Sequence, residues 1–111
     1  MTSLKINNEI FDVVDGSIQL STGSHATIIC LFDIEKNPSY EGTFIDLYEK
    51  NSYFRIESNR YYTTSTCIKA LDLDFLKRRM SISFYCETLT AYDKSLRREE
   101  IIESLFDKPS N

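Results

Sequence analysis

One histidine and three cysteines are the side chains that could support nucleophilic chemistry in this chain. Ser24 directly precedes His25, but neighbouring residues of a strand point to opposite faces and do not form a catalytic dyad. We expect His25 to lie at the end of a turn and to hydrogen-bond to backbone. The thiols Cys30, Cys67 and Cys86 lie in strand-like apolar segments without C-x-x-C spacing, which favours reduced, buried cysteines. An enzyme that uses cysteine or histidine therefore ranks last among the functional hypotheses.

Two carboxylates come closest to a catalytic acid/base pair. Asp72 and Asp74 alternate with Leu71, Leu73 and Phe75, so both carboxylates would project from one strand face, about 6.5 to 7 Å apart at their Cα atoms. Paired carboxylates of glycosidases usually come from separate elements that face a cleft. Alternation with buried residues is instead typical of a solvated sheet face.

Phosphate loops and metal centres lack the residues they require. The chain has only three glycines, Gly16, Gly23 and Gly42, and they form neither a G-x-G-x-x-G nor a Walker pattern. One histidine and three scattered cysteines provide no local cluster of metal ligands. The sequence predicts no catalytic residues, no cofactor and no metal site.

The composition predicts a single folded domain over residues 1–111. With 41% apolar and 13% aromatic residues the chain can fill one core, whereas two half-length domains would be too small. The formal net charge of −4 offers no broad cationic surface, so direct nucleic-acid binding is not expected. No window approaches the roughly 20 apolar residues of a spanning helix, and no secretory signal pattern is present. We expect a protein made in the cytoplasm that does not bind membranes.

The first third of the chain predicts strands. Residues 4–11 indicate a hairpin around Asn7-Asn8-Glu9, because turn formers separate two β-favouring segments. Residues 17–21 alternate polar and apolar side chains after the turn signal Asp15-Gly16. Residues 25–34 are the longest β-favouring segment and are apolar on both faces through the middle. This strand should be central in a sheet, with both faces at least partly covered.

A helix is predicted over about 39–50. Asn37 or Ser39 can cap its N-terminus, Pro38 tolerates the first turn, and Asn51 can end it in the left-handed conformation. The apolar positions recur at i, i+4, i+7 and i+8, the spacing of one helical face: Tyr40, Phe44, Leu47 and Tyr48.

Three further strands and a terminal helix complete the predicted elements. The strands cover about 53–58, 63–75 and 80–86. The apolar phase of the middle strand changes near Ala70-Leu71, which predicts a bulge or bend. The tail predicts a helix over about 93–106 with an N-cap at Asp93. The resulting fold class is α+β, mainly β: a rolled antiparallel sheet or small split barrel, with the inserted helix plugging one open side.

Contact surfaces are the predicted functional features. The chain has more tyrosines than a small core needs, and tyrosine and arginine are favoured where proteins meet. The candidate contact residues are Tyr53, Tyr61, Tyr62 and Tyr85, with Arg97 and Arg98 on the terminal helix. That helix could either close the domain or dock on another subunit.

The order of elements resembles that of bacteriophage tail tube and baseplate hub domains. The segment Leu20–Phe32 (LSTGSHATIICLF), the segment Phe54-Arg55-Ile56 and the two later strands at 67–73 and 80–84 carry the resemblance, which covers about residues 4–88. It implies a rolled antiparallel barrel with one helix between strands, which packs beside copies of itself, and it implies no catalytic residues. The long subunit-bridging loop common in tube proteins has no counterpart here, which favours a compact hub, adaptor or assembly component.

The leading hypothesis is a non-enzymatic virion or virion-assembly protein of a tailed phage, located in the virion and in contact with other subunits, including copies of itself. The alternative is a β-barrel module that binds a small ligand or carbohydrate. In that case Tyr53, Tyr61, Tyr62 and Tyr85 would line its pocket.

Overall fold

A computed structural model describes residues 2–21, 25–51, 53–91 and 102–103. Within these ranges the chain forms one helix and nine antiparallel strands. The helix α1 spans Ser39–Lys50. The strands are β1 Thr2–Ile6, β2 Glu9–Val13, β3 Asp15–Leu20, β4 Ala26–Asp33, β5 Phe54–Glu57, β6 Tyr61–Asp74, β7 Arg79–Cys86, β8 Thr90–Ala91 and β9 Ile102–Glu103. The predicted α+β, mainly β class is confirmed.

The strands form one curled, half-barrel sheet in the order β2-β1-β5-β6-β7-β4-β3-β9, and β8 pairs with β6. β2 and β3 lie towards opposite ends of this order but are consecutive in the chain, with only Val14 between them. The Val14 N–H donates to the carbonyl of Leu31 at 2.8 Å, which fixes the bend. The bend at Val14 therefore links the two ends of the sheet through the chain itself.

The N-terminal hairpin turns at two asparagines, as predicted. Asn7 and Asn8 have φ of 49° and 72°, the left-handed values that a two-residue hairpin turn requires and that asparagine tolerates. Asn7 also exchanges two hydrogen bonds with the backbone of Arg55, at 3.0 and 3.2 Å. The turn thereby holds β1 against β5 as well as against β2.

The helix lies inside the curl, with the predicted bounds. Phe44 is fully buried, and its ring centroid lies 4.6 Å from that of Phe32 and 5.0 Å from that of Phe11. The hydroxyl of Tyr40 accepts a hydrogen bond from the backbone N–H of Asp12 at 2.9 Å. The helix thus joins β2 to β4 across the open side of the sheet. Within the described ranges, no helix has the length and apolar character needed to cross a bilayer.

The capping prediction at the helix start was wrong. Pro38 is the N-cap residue and makes no side-chain cap hydrogen bond. The side chain of Asn37 instead donates to the carbonyl of Asp33 at 3.3 Å, so the preceding turn uses its polar group. At the other end Asn51 is left-handed with φ of 52°, as predicted.

β6 contains two irregularities where the sequence predicted one. The predicted bulge near Ala70 is present as a register shift between Ile68 and Ala70 opposite β7. A second shift lies opposite β5, where Phe54 pairs with Thr66 and Ile56 with Thr63. Each shift resets which residues point inward, and together they keep a 14-residue strand on the curled core.

The central strand β4 has a buried and a partly covered face. Ile28, Cys30 and Phe32 are at most 1% exposed on the inner face. On the other face Ile29 is 42% exposed, while Leu31 is half-buried. The prediction that both faces are at least partly covered therefore holds for the inner face, whereas the outer face is covered at Leu31 but not at Ile29.

The predicted helix over 93–106 is wrong at the two of its residues that the structure describes. Ile102 and Glu103 form a short strand that pairs with Gln19 and Ile18 of β3. An edge strand offers unpaired backbone groups to a β-branched residue such as Ile102, and that pairing outweighs the helical spacing of its apolar neighbours. The other residues of the predicted helix lie outside the described part of the chain.

Candidate interaction surface

The outward face of the four strands β3, β4, β7 and β6 carries two rows of side chains in register, with small and apolar residues in the middle and an aspartate at each end of one row. One row across the sheet is Ser17, Ile29, Ser83 and Ala70, and the next is Asp15, Leu31, Ser81 and Asp72. Ser81 and Ser83 point outward because β7 alternates strictly, with every second side chain from Met80 to Cys86 buried. Small side chains beside two aliphatic ones give a surface that another backbone can approach closely.

The turn between β6 and β7 displays two large apolar side chains. Phe75 is 70% exposed and Leu76 is 96% exposed. The turn itself is held in place: Oδ1 of Asp74 accepts hydrogen bonds from the N–H groups of Leu76 and Lys77, both at 3.1 Å. We call the segment Phe75–Arg78 the hairpin tip.

A groove of about 710 Å³ runs from the hairpin tip onto the outward face of the sheet. Its lining comprises Leu31, Asp72, Leu73, Asp74, Phe75, Leu76, Lys77, Arg79 and Ser81. A smaller depression continues it towards β3 and shares Leu31 and Ser81 with it. We call the larger depression the tip groove.

Two acidic and two basic residues line the tip groove. Asp72 and Asp74 lie on one strand of the hairpin, and Lys77 and Arg79 follow after the turn. Arg79 lies 4.0 Å from Asp33, whereas neither Asp72 nor Lys77 has an ion-pair partner among the described residues. Hydrogen bonds from the backbone N–H of Lys36 and then Glu35, with the nearby Arg79, lower the pKa of Asp33.

A second group of polar aromatic residues lies at the other end of the same face. Tyr85 faces Cys67 on β6, and its hydroxyl lies 2.6 Å from Nδ1 of His25. The ammonium of Lys69 lies 5.4 Å from the centre of the Tyr85 ring. The electrostatic interaction with Cys67 is the largest cause that raises the pKa of Tyr53, which is 56% exposed, with smaller contributions from Glu87 and partial burial. His25 thus has a side-chain partner, not the backbone partner expected.

The four predicted contact tyrosines do not form one site. Tyr53 is exposed and Tyr85 half-buried on the outer surface, but Tyr61 is 2% exposed and belongs to the core. Tyr62 is half-buried beneath the guanidinium of Arg55, 5.4 Å from the ring centre. Tyr61 and Tyr62 begin β6, so alternation of the strand separates them. Arg97 and Arg98 lie outside the described residues.

The same separation weakens the idea of a tyrosine-lined ligand pocket. Tyr61 points into the core while Tyr85 lies on the outward face, and neither contributes to the tip groove. Four tyrosines in these positions do not line a common cavity.

The thiols are placed mostly as the sequence predicts. Cys30 and Cys86 are buried, and Cys67 is half-buried. Burial is the main cause that raises the pKa of Cys30 well above its ordinary value and that of Cys86 to about 11. Both buried groups are therefore neutral thiols near neutral pH. No group of three potential metal ligands occurs among the described residues.

Sequence reasoning missed the hairpin tip. Phe75 was assigned to the buried phase of the strand with Leu71 and Leu73, but the strand ends at Asp74 and Phe75 lies in the turn. The available signal was an aspartate followed by two apolar residues and then three cations, Lys77 to Arg79. An aspartate at the start of such a segment is a turn former, and it leaves the next side chains outside the strand.

Comparison with protein-family models, with curated proteins and with solved structures finds no match to this chain.

Proposed function

We propose that this chain is a non-enzymatic structural or assembly protein that acts through protein–protein contacts. The observation that carries the proposal is the hairpin tip, where Phe75 and Leu76 are held out from the fold by a hydrogen-bonded turn. Exposed large apolar side chains beside a groove are typical of surfaces that bind other proteins. The small side chains of the adjoining sheet face extend this surface.

Several polar groups of the described residues support the proposal because they already have structural roles. Asp33 and Asp74 accept backbone hydrogen bonds in turns, and Cys30 and Cys86 are core thiols. His25 is engaged by Tyr85. These contacts account for side chains that would otherwise be candidates for catalysis.

The setting we propose is the tail or baseplate of a bacteriophage. The support is the resemblance in element order: a curled antiparallel sheet with a helix inserted between its fourth and fifth strands. In that setting the chain would be a virion component or would act during assembly of the virion.

A phage or prophage that encodes this chain provides the test. Deletion of its gene should abolish infectious particles and leave incomplete tails in electron micrographs, and the wild-type chain supplied in trans should restore both. Mass spectrometry of purified wild-type particles should detect the chain if it remains in the virion. A normal yield of infectious particles from the deletion strain would contradict the proposed function. Flanking genes of purely metabolic function would contradict the phage setting alone.

A further inference from the structure

We propose that the tip groove binds a second copy of this chain, with the hairpin tip of each copy seated in the groove of the other. The proposal rests on the proposed function, which it deepens by naming the partner as an identical chain. It also fixes the geometry of the contact, which is a two-fold one in which the same surface of both copies takes part.

The apolar side chains of the hairpin tip are exposed beside the groove. Leu76 is 96% exposed and Phe75 is 70% exposed, although both line the tip groove. The tip therefore borders its groove without filling it. At about 710 Å³ the groove lies within the roughly 300 to 1,000 Å³ of clefts that bury a ligand, which is ample for two apolar side chains. Leu31 is an apolar residue in the lining of the groove that the two side chains could contact.

The charges of the groove favour an identical partner. Asp72 and Asp74 balance Lys77 and Arg79, so the lining has no net charge and gives no advantage to a strongly acidic or basic partner. Asp72 and Lys77 lie apart along the hairpin, and neither has an ion-pair partner among the described residues. A two-fold axis across the groove brings Lys77 of one copy to Asp72 of the other, and repeats that pair on the other side of the axis.

The outward face of the sheet permits the close approach that this arrangement needs. Ser81 and Ser83 point outward from β7, beside Leu31 and Ile29 of β4. Serine hydroxyls can hydrogen-bond to an incoming chain, and their small size leaves room for its side chains. Ile29, 42% exposed, would be covered by the second copy.

Sedimentation velocity of the full chain at about 1 to 300 µM tests the proposal, because interfaces with few apolar anchors commonly dissociate in the micromolar range. The wild type should form a dimer and no larger species. The double variant Phe75→Ser, Leu76→Ser should weaken the dimer at least tenfold. Because both side chains are exposed in the single chain, its thermal melting should match that of the wild type at a concentration at which the wild type is monomeric. The matched control Ile10→Ser, at a residue 62% exposed on β2, should leave dimerisation unchanged.

A charge exchange tests the two-fold geometry. Asp72→Lys and Lys77→Asp should each be monomeric when alone, because each places like charges opposite one another twice. An equimolar mixture of the two variants should form a dimer again, because every contact then joins opposite charges. A mixture that stays monomeric while the wild type dimerises would overturn the geometry proposed here.

A wild-type chain that is monomeric at all concentrations, or a dimer insensitive to the tip substitutions, would overturn the inference. The tip-mediated dimer and the proposed function can be contradicted separately. A monomeric chain that the phage still requires leaves the proposed function standing. If the chain forms a tip-dependent dimer but deletion of its gene has no effect on the particles, the inference stands and the proposed function is contradicted.

Discussion

Two turns at the same end of the sheet have the same local geometry and opposite surroundings. After β4, Oδ1 of Asp33 accepts hydrogen bonds from the N–H groups two and three residues further on, at 3.0 and 3.1 Å. After β6, Asp74 does the same at 3.1 and 3.1 Å. Yet Ile34, which follows the first aspartate, is fully buried, whereas Phe75, which follows the second, is 70% exposed.

An aspartate turn therefore sets the path of the backbone but not the burial of the side chains it carries. The chain after Asp33 continues into α1, which packs inside the curl, and Ile34 belongs to the buried core cluster. The chain after Asp74 returns at once as β7, and no described element covers Phe75 and Leu76. Burial is decided by what lies next to the turn.

The largest expected effect comes from truncating the buried member of this pair. Ile34→Ala should lower the free energy of unfolding by about 2 to 5 kcal/mol, because it removes buried methyl groups and leaves a cavity. Urea unfolding monitored by circular dichroism measures the change. Leu76→Ala, 96% exposed in the other turn, is the matched control and should stay within about 0.5 kcal/mol when both variants are measured at a concentration at which the chain is monomeric. Equal losses for the two variants would contradict the contrast.

The thiols extend the contrast between buried and exposed positions to neighbouring residues of two paired strands. Cys86 has a pKa raised to about 11 by burial, and Cys67 is half-buried. A maleimide or disulfide reagent at pH 8 should label one thiol at least about 100-fold faster than the other two, since the thiolate is the reactive form. Mass spectrometry should locate the fast site at Cys67, and Cys67→Ser should remove it. Fast labelling of Cys30 or Cys86 would show that the core opens readily.

The hydrogen bond that anchors the helix after the first turn should have a moderate effect. Tyr40→Phe removes the hydroxyl that accepts from the Asp12 N–H and should cost about 0.5 to 1.5 kcal/mol of stability. Tyr48→Phe on the same helix is the control, because Tyr48 is 44% exposed, and it should change little. The same urea transitions give both values. A neutral Tyr40→Phe variant would mean that water replaces the hydroxyl at this sheet edge.

The smallest expected effect is a pH dependence at the first turn. A carboxyl group with a lowered pKa in the folded state adds stability above its unfolded pKa of about 3.9, and that stability disappears as the pH falls through the folded value. Asp33→Asn should therefore be slightly less stable than the wild type at pH 7 and equal to it near pH 2. Urea midpoints at the two pH values measure the change. A difference that is the same at both pH values would assign the effect to geometry and not to charge.

Local patterns predicted most of the fold. The bounds of α1 follow from the spacing of Tyr40 and Phe44 and from Asn51, and the alternation of Met80 to Cys86 predicts β7 and its buried face. These predictions succeed because the apolar period and the preferred turn residues act over a few neighbouring residues.

Predictions that depended on distant neighbours were less successful. Tyr61 and Tyr62 were both predicted to be contact residues, but Tyr61 begins β6 and lies in the core. Ile102 matched a helical pattern and instead pairs with the edge of β3. At the second register shift three residue steps of β6 oppose two of β5, within the segment Thr63–Thr66 that was predicted as regular strand.

Local sequence patterns were enough to predict where the chain turns and which residues alternate. They also showed that the titratable groups form no local catalytic motif in the sequence. Tertiary packing buries the side chain after one of two similar aspartate turns and leaves the other turn uncovered. Phe75 and Leu76 are therefore exposed beside a groove. The physical reason is that turn formation depends on hydrogen bonds within a few residues, whereas burial depends on elements that are distant in the sequence and adjacent only after folding.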